Sequence, residues 1–394
     1  VNLPAGSAGD IVGLKDYANT WDSYAVTLNP NGSDKIGGAN ATDPTVANEG
    51  GSLLLVYVDG TQGWLTTQQS VTSSPAGVED FIVATGGTPC TGAICGDYKT
   101  HAFTGPGTFT VSSLSTCAAN DVVDYLVVAG AGGSGTSGPG GGGGGAGGFR
   151  MSNSLSLPAP TTSPLASPTG ITVSATGYPI TIGGGGAAGA PPGGNGADGD
   201  PSTFSTITST GGGWGGGYND SEGNDGGSGG GGGDPDGPQP NAGGDGNTPA
   251  TPISQGFPGG AGTPPSVSGD GNQATGGGGG ASAAGADGTN PPHTGGAAGD
   301  GSFIADGFIG PTAPSYGTPG PVSDTRYFSG GGGGTSQGGK GAGGAGGGGT
   351  TGPGTSAAGV AGTVNTGGGA SGGTCAGAAA AGGSGIVIIR YKFQ

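Results

Sequence analysis

The sequence predicts all-β N-terminal modules of short antiparallel strands, followed by a glycine-rich polyglycine-II helix bundle, with almost no α-helix. Three observations carry this expectation. Short apolar runs bounded by Gly, Asn, Asp and Pro fill the first third of the chain, the signature of antiparallel strands and turns. Contiguous glycine blocks dominate the remainder, and the 394 residues include 107 Gly and 30 Pro. No stretch shows a helical period of useful length.

Residues 1–75 form the first β-rich module. Apolar alternation runs through Tyr24-Ala-Val-Thr-Leu28 and Ser52-Leu-Leu-Leu-Val-Tyr-Val58, with turn signals at Asn29-Pro-Asn-Gly32 and Asp59-Gly60. Fewer than about 80 residues with so few large side chains make a thin core. The module is therefore expected to need partners, most simply two copies of itself. Residues 76–129 form a second strand-rich module, a connector or shoulder. Its strands are placed at 81–84, 101–104, 108–111 and 122–128. The last of these is nearly all apolar, as in a strand buried on both faces.

Residues 130–394 form the glycine-rich domain. Glycine blocks recur at 140–145, 183–186, 211–217 around Trp214, 229–233, 276–280, 330–334, 346–349 and 367–369. Connectors rich in Pro, Asn, Asp, Ser and Thr separate them. The chain closes with an apolar strand at 386–391, expected to pair with 125–128 and anchor the domain. Collagen is excluded, because contiguous blocks break its every-third-residue rule. Glycine's propensity excludes helices. Ordering a glycine coil costs about 1–2 kcal/mol per residue. Polyproline-II-type helices resolve the conflict, with three residues per turn and a rise of ~3.1 Å. Without β-carbons such helices pack side by side and satisfy each other's N–H and C=O groups. Outer helices would tolerate small residues facing out, as in Ala357-Ala-Gly-Val-Ala-Gly362.

Charge and cysteines narrow the class. The net charge is −17, and residues 151–325 hold 13 acids and no Lys or Arg. Phosphate recognition needs a basic patch, so nucleic acid and anionic membrane are poor partners. The plain reading of the acids is solubility of a glycine-rich surface. No apolar run approaches the ~20 residues of a membrane span, so membrane insertion is not expected. Disordered chains are usually highly charged, whereas only 8% of these residues are charged. The start at Val1 rather than Met reads as processing, or as a piece of something longer. Four cysteines at non-metal spacing suggest disulfides in an oxidising environment, with Cys90–Cys95 and Cys117–Cys375 as the expected pairs. The segment from Thr88 to Cys95 reads as turn-like.

Few motifs suggest chemistry. Gly130-Ala-Gly132-Gly-Ser-Gly135 matches a dinucleotide fingerprint, but no helix pattern or acid follows as that chemistry requires. His101 and His293 have no triad constellation around them. The carboxylate pairs Asp198/Asp200 and Asp234/Asp236 lie in Gly/Pro loops with nothing to shift a pKa. No enzyme activity and no cofactor are expected. Asp220, Glu222 and Asp225 are weak calcium candidates, being oxygen donors at short spacing without the EF-hand pattern. Phe257, Phe303, Phe308 and Tyr316 punctuate small polar connectors and are the receptor-contact candidates; the alternative is that each plugs the bundle locally.

Several segments resemble bacteriophage tail proteins. Asp97-Tyr-Lys-Thr-His-Ala-Phe-Thr-Gly-Pro-Gly-Thr-Phe-Thr-Val111, Val123-Asp-Tyr-Leu-Val-Val-Ala-Gly130 and Gly382-Gly-Ser-Gly-Ile-Val-Ile-Ile-Arg-Tyr391 look like the glycine-rich domains of those proteins. The organisation is similar to the long-tail-fibre adhesins of T-even-like phages, which pack polyglycine-II helices and display host-recognition loops. Val12-Gly-Leu-Lys-Asp-Tyr17 and Val56-Tyr-Val-Asp-Gly-Thr-Gln-Gly-Trp64 resemble repeats of typically trimeric tail fibres. The resemblance implies a homotrimeric, extracellular receptor-binding protein on a virion tail fibre. It would contact a host cell-surface protein or glycan, and other virion tail proteins at its N-terminal end. The cysteine segment at 90–95 departs from the pattern, and connectors 235–275 and 287–328 match nothing. No receptor residue is carried over. The rival is a purely structural subunit of an extracellular filament or virion appendage. An ice-binding bundle would need a flat, repeated Thr or Ala face, and the connectors are too irregular for one.

Overall fold

The computed structural model describes residues 1–38, 44–47, 50–69, 81–136, 140–155, 157, 162–218, 221–235, 239–263, 273–290, 292–336, 338–351, 356–374 and 377–394. These residues divide into two units. The first comprises 1–82, 114–121 and Gln394; the second comprises 83–113 and 122–393.

The first unit is built on strands β1 (Ile11–Lys15), β2 (Val26–Thr27), β3 (Thr45–Val46), β4 (Ser52–Tyr57) and β5 (Trp64–Gln69). A three-stranded antiparallel sheet runs β1-β4-β5, and β2 pairs with β3. Alternation along β4 sends Leu53, Leu55 and Tyr57 inward, as period-2 geometry requires. They meet Leu3, Leu28, Ile36, Val46 and Trp64 in one small core. Tyr57 and Trp64 sit edge to face with centroids 5.4 Å apart. The turn between β4 and β5 is held by Asp59, whose carboxylate accepts the Thr61 and Gln62 N–H groups at 2.8 and 2.7 Å. A β-carbon at Gly63 would stand 1.9 Å from the Lys35 carbonyl oxygen, so only glycine fits there. The Asp16 carboxylate accepts backbone bonds from Thr20, Trp21 and Gly50.

The second unit contains β6 (Val83–Thr85), β7 (Thr88–Cys95), β8 (Tyr98–Phe103), β9 (Gly107–Ser113), β10 (Val122–Val128), β11 (Phe149–Ser152), β12 (Ala166–Ser167), β13 (Ile171–Thr172), β14 (Gly177–Thr181), β15 (Ser202–Phe204), β16 (Ile207–Ser209), β17 (Ser302–Ala305), β18 (Thr325–Phe328) and β19 (Ile386–Lys392). Its one α-helix, α1 (Asp306–Ile309), has four residues and runs into a 3₁₀ turn at Gly310–Ser315. A seven-stranded sheet follows the order β12-β11-β10-β19-β8-β7, with β13 also on β10. A five-stranded sheet runs β16-β15-β14-β9-β6. The strands expected as a separate shoulder at 76–129 thus share their sheets with strands from 149–209 and from the C-terminus.

The pairing of the two apolar strands is as the sequence suggested. β10 and β19 lie antiparallel at the sheet centre, with Tyr125 opposite Ile389 and Val128 opposite Ile386. Both are mostly apolar because both faces are covered. On one face Leu126, Val128, Ile386 and Ile388 pack with Phe149, Met151, Ile304, Phe308 and Phe328. On the other, Tyr391 stacks on His101 at 5.7 Å, and Phe109 meets both rings.

One polar cluster interrupts the apolar strands. Asp124, opposite Arg390 in the register, is fully buried and accepts bonds from the Ser152 and Ser154 hydroxyls and the Ser154 and Leu155 N–H groups, at 2.7 to 2.9 Å. The Arg390 guanidinium lies 3.6 Å from the Tyr98 ring centroid, donates to the Leu155 carbonyl at 3.3 Å, and stands 3.9 Å from the Asp124 carboxylate. A buried acid is tolerated only with such saturation. The cluster ties both central strands to the segment after β11.

Two sequence expectations are corrected here. The segment from Thr88 to Cys95 is a strand, β7, paired with β8 across a bulge. Cys90 and Cys95 are free thiols. Cys90 falls in the bulge and Cys95 pairs in register with Tyr98, so two cysteines of one strand are held apart rather than brought into disulfide geometry. Cys117 is also free, and Cys375, its expected partner, lies outside the described residues. No helix among the described residues is long and apolar enough to cross a membrane.

Candidate functional site

The glycine segments form neither helix nor sheet, yet their backbone groups are bonded laterally in a strict pattern. Segment 140–148 is the clearest case. The N–H groups of Gly141, Gly144 and Gly147 donate to Gly373, Ala370 and Gly367. Those of Gly142, Gly145 and Gly148 donate to Gly216, Gly213 and Thr210, and those of Gly143 and Ala146 to Gly276 and Gly279. Donor direction therefore rotates with a period of three residues. The carbonyls receive from three further segments: Gly135, Gly132 and Ala129 bond to Gly142, Gly145 and Gly148; Gly231 and Ser228 to Gly143 and Ala146; Gly332 to Gly144. These bonds span 2.8 to 3.3 Å. Six neighbours surround one segment, three accepting and three donating.

At its glycine positions such packing leaves no room for side chains. A β-carbon would lie 1.9 Å from a carbonyl oxygen at Gly141 and Gly143, 2.1 Å at Gly144 and 2.0 Å at Gly147. This close approach, rather than chain flexibility, explains the glycine. At the edge the requirement lapses: a β-carbon at Gly184 meets nothing nearer than 3.4 Å. In the outer segment, Ala358, Val360 and Ala361 are exposed, as the Ala357-Ala-Gly-Val-Ala-Gly362 motif suggested.

Edges of the lattice lack neighbours, and side-chain oxygens take their place. Asp198 accepts the Trp214 N–H at 3.0 Å, Asp225 that of Asp245 at 2.7 Å, Asp287 that of Ala261 at 2.7 Å and Asp300 that of Ala345 at 2.8 Å. The acids thus do more than solubilise; each substitutes for a missing backbone carbonyl. Hydroxyls serve one end of the lattice in the opposite sense. Thr275 and Thr335 donate to the Gly141 carbonyl at 2.8 and 3.1 Å, and Thr136 to Ala190 at 3.2 Å.

The register defines two ends. At one, segments run directly into β-strands, with Ala129 bonded to Gly148, Phe149 to Gln255 and Gly385 to Gly183. The far end gathers the described residues near 136, 190–195, 218, 234–235, 239–241, 263, 273–275, 289–290, 292–295, 335–336, 338–340, 351, 356–357 and 374, linked by bonds such as Thr136 to Gly194, Asp234 to Gly217 and Thr275 to Thr335. The points where the chain leaves this unit are Val83, Ser113, Val122 and Phe393. The first three are strand ends: Val83 pairs with Ser113, and β10 runs from Val122 toward the lattice at Ala129; Phe393 directly follows β19, antiparallel to β10.

The four aromatic candidates do not gather at the far end. Phe308 is fully buried in the sheet-side core, and Tyr316 packs against that core. Phe303, on β17, is half-buried with its ring 5.5 Å from Tyr327. Phe257 is half-buried one repeat from the sheet end, its N–H bonded to Gly280. Phe308 is therefore corrected to a core residue: its apolar ring completes a hydrophobic cluster that small connectors could not fill alone. Trp214 is half-buried in its segment. Of the calcium candidates, Asp220 lies outside the described residues; Glu222 and Asp225 are exposed, and Asp225 is engaged by Asp245. No metal-binding group of three acids, His or Cys occurs among the described residues. Asp236 of the Asp234/Asp236 pair also lies outside them. His101 is buried between Gly86 and Tyr391, and burial lowers its pKa despite the Gly86 bond.

Residues 103–392 match the family profile of the glycine-rich domain. The chain belongs to the glycine-rich domain family. The match runs from the end of β8 to the end of β19, so the domain includes the strands that anchor the lattice as well as the lattice. No curated protein sequence matches the chain. Sequence reasoning missed the domain's threonine caps. Their signal was present: Thr136, Thr335 and Thr374 each directly follow glycine, and Thr275 directly precedes a block.

Proposed function

We propose that the chain is a viral (phage) tail-fibre structural and receptor-binding protein. In this reading it recognises a host cell surface through loops displayed on a polyglycine-II scaffold. The helix reading is supported by the three-residue donor rotation and six-neighbour packing of segment 140–148, which is what laterally bonded threefold helices require. The observation that carries the function is the far-end cluster of turns. It lies at the opposite end of the lattice from Val83, Ser113 and Val122, where the chain leaves the unit. A lattice that carries turns together at one end suits display, since binding residues concentrate on loops fixed by a scaffold. Non-catalytic, extracellular display on a homotrimer would gain avidity from three weak sites.

The test exchanges the sequence segments 235–240 and 289–293 for those of a chain of different host range, leaving 301–328 intact. Altered adsorption supports the reading. Unchanged adsorption, with labelled antibody spaced along continuous filaments instead of fibre tips, makes the chain a structural filament subunit.

A further inference from the structure

We propose that a cavity at the sheet end of the glycine-rich unit binds a small apolar carboxylate, one ring in size, with its charge on Arg150. The site lies among the strands and the connector before Gln255, and it is independent of the receptor-binding reading above. The cavity measures about 140 Å³. Phe149, Met151, Leu165, Pro252 and Ile253 form its apolar walls, and Tyr125, Arg150 and Ser167 its polar ones. An apolar cavity of about 150 Å³ is enough to take a benzene ring. Close-packed interiors leave few voids of that size. A mostly apolar pocket with a few placed polar groups is the usual form of a small-molecule site.

The walls are set before any ligand arrives. Phe149 and Met151 belong to the buried core, and Met151 on β11 pairs with Ala166 on β12, which places Leu165 and Ser167 beside it. The connector that carries Pro252 and Ile253 is tied to β11, because the Phe149 N–H donates to the Gln255 carbonyl at 2.9 Å. It is also braced from within. Asn247 Oδ1 accepts the Thr251 N–H at 3.1 Å, the Thr251 hydroxyl donates to the Ile253 carbonyl at 2.7 Å, and Gln255 Nε2 donates to the Pro249 carbonyl at 3.2 Å.

Charge decides the ligand. Arg150 is the sole Lys or Arg between Lys99 and Arg326. Of the five N–H donors of a guanidinium, one is engaged, by the Thr208 carbonyl at 3.2 Å. No carboxylate pairs with Arg150 among the described residues. Tyr125 adds no competing charge: burial, against the field of Arg150, keeps its phenol above the ordinary value, and its hydroxyl is engaged by Ser167. A guanidinium meets a carboxylate through two parallel bonds. The cavity thus sets a ring-sized apolar space beside one unpaired positive charge, and a ring-sized carboxylate fills the first while neutralising the second.

The experiment titrates the full chain with benzoate and with benzamide, its uncharged analogue, by ligand-observed NMR. Benzoate is expected to saturate one site with a Kd of about 1 mM, and benzamide to bind about tenfold more weakly. Arg150→Gln should weaken benzoate binding about tenfold and leave benzamide binding within about twofold. Leu165→Phe, which fills the cavity, should abolish benzoate binding at the parent's melting temperature; Ile253→Phe, on the connector wall, repeats the test if Leu165→Phe does not fold. No saturation by benzoate at about ten times the expected Kd overturns the site. So does parent affinity in a folded cavity-filling variant. Equal affinity for benzoate and benzamide, or parent benzoate affinity in Arg150→Gln, overturns the carboxylate assignment.

Discussion

Replacing Gly143 with Ala should unfold the lattice far more readily than replacing Gly184. The added methyl at Gly143 would stand 1.9 Å from the Gly332 carbonyl oxygen. That oxygen already accepts the Gly278 N–H at 2.8 Å, and Gly143 itself donates to Gly276 and accepts from Gly231. Overpacking a close-packed interior costs about 1–3 kcal/mol. Displacing the bonded carbonyl weakens two or three lateral bonds at about 0.5–1.5 kcal/mol each. The sum is on the order of 2–7 kcal/mol. At Gly184 the methyl has space, and Ala restricts the unfolded chain, so a gain of up to about 1 kcal/mol is expected. Denaturant unfolding of both variants, read by the midpoint at unchanged slope, compares them directly. The lattice argument is refuted if Gly143→Ala costs less than about 1 kcal/mol, or no more than Gly184→Ala.

Three further outcomes follow from the same contacts. Asp287→Ala removes the oxygen that takes the Ala261 N–H and should cost about 1 kcal/mol in urea unfolding, with Asp287→Asn recovering most of it. Arg390→Met leaves the buried Asp124 carboxylate without its cation and should cost about 3–5 kcal/mol, partly restored by adding Asp124→Asn; a single-variant loss below about 1 kcal/mol would contradict the clamp. The His101 imidazole has Gly86, Lys99, Phe109 and Tyr391 around it, and burial holds its pKa below the ordinary ~6.5. The unfolded chain takes the proton first, so this stability is present above about pH 6.5 and is lost as pH falls below it; His101→Asn should flatten that part of the melting-temperature profile.

The strands were legible because their cause is local. Alternation in Ser52–Tyr57 and the apolar runs Tyr125–Val128 and Ile386–Ile389 each report the burial of the strand that carries them. The order of the sheets was not legible, since β19 reaches β8 and β10 from more than 250 residues away and no local pattern encodes that. The glycine blocks announced close packing but not which block meets which. The aromatic candidates failed for a related reason. Phe308 stands among Asp, Gly and Pro exactly as an exposed contact residue would, and only the fold shows β10, β11 and β19 waiting to cover it.

The acids and threonines point to a general constraint on such lattices. A strand sheet has two open edges, but a laterally bonded bundle is open all around its perimeter and at both ends. Every orphan donor or acceptor there needs a partner. Asp198, Asp225, Asp287 and Asp300 supply oxygens to perimeter donors; Thr136, Thr275 and Thr335 supply donors to carbonyls at the far end. An acid cannot donate when ionised and a hydroxyl can, so the two residue types divide the work by chemistry. Satisfying the perimeter with short side chains also keeps the lattice from recruiting a further glycine segment from another molecule, the hazard that unpaired backbone presents on any open edge. Because Thr136, Thr275 and Thr335 hold the far end, the described turn residues that bond to no lattice group are the positions whose sequence can change without disturbing the bundle.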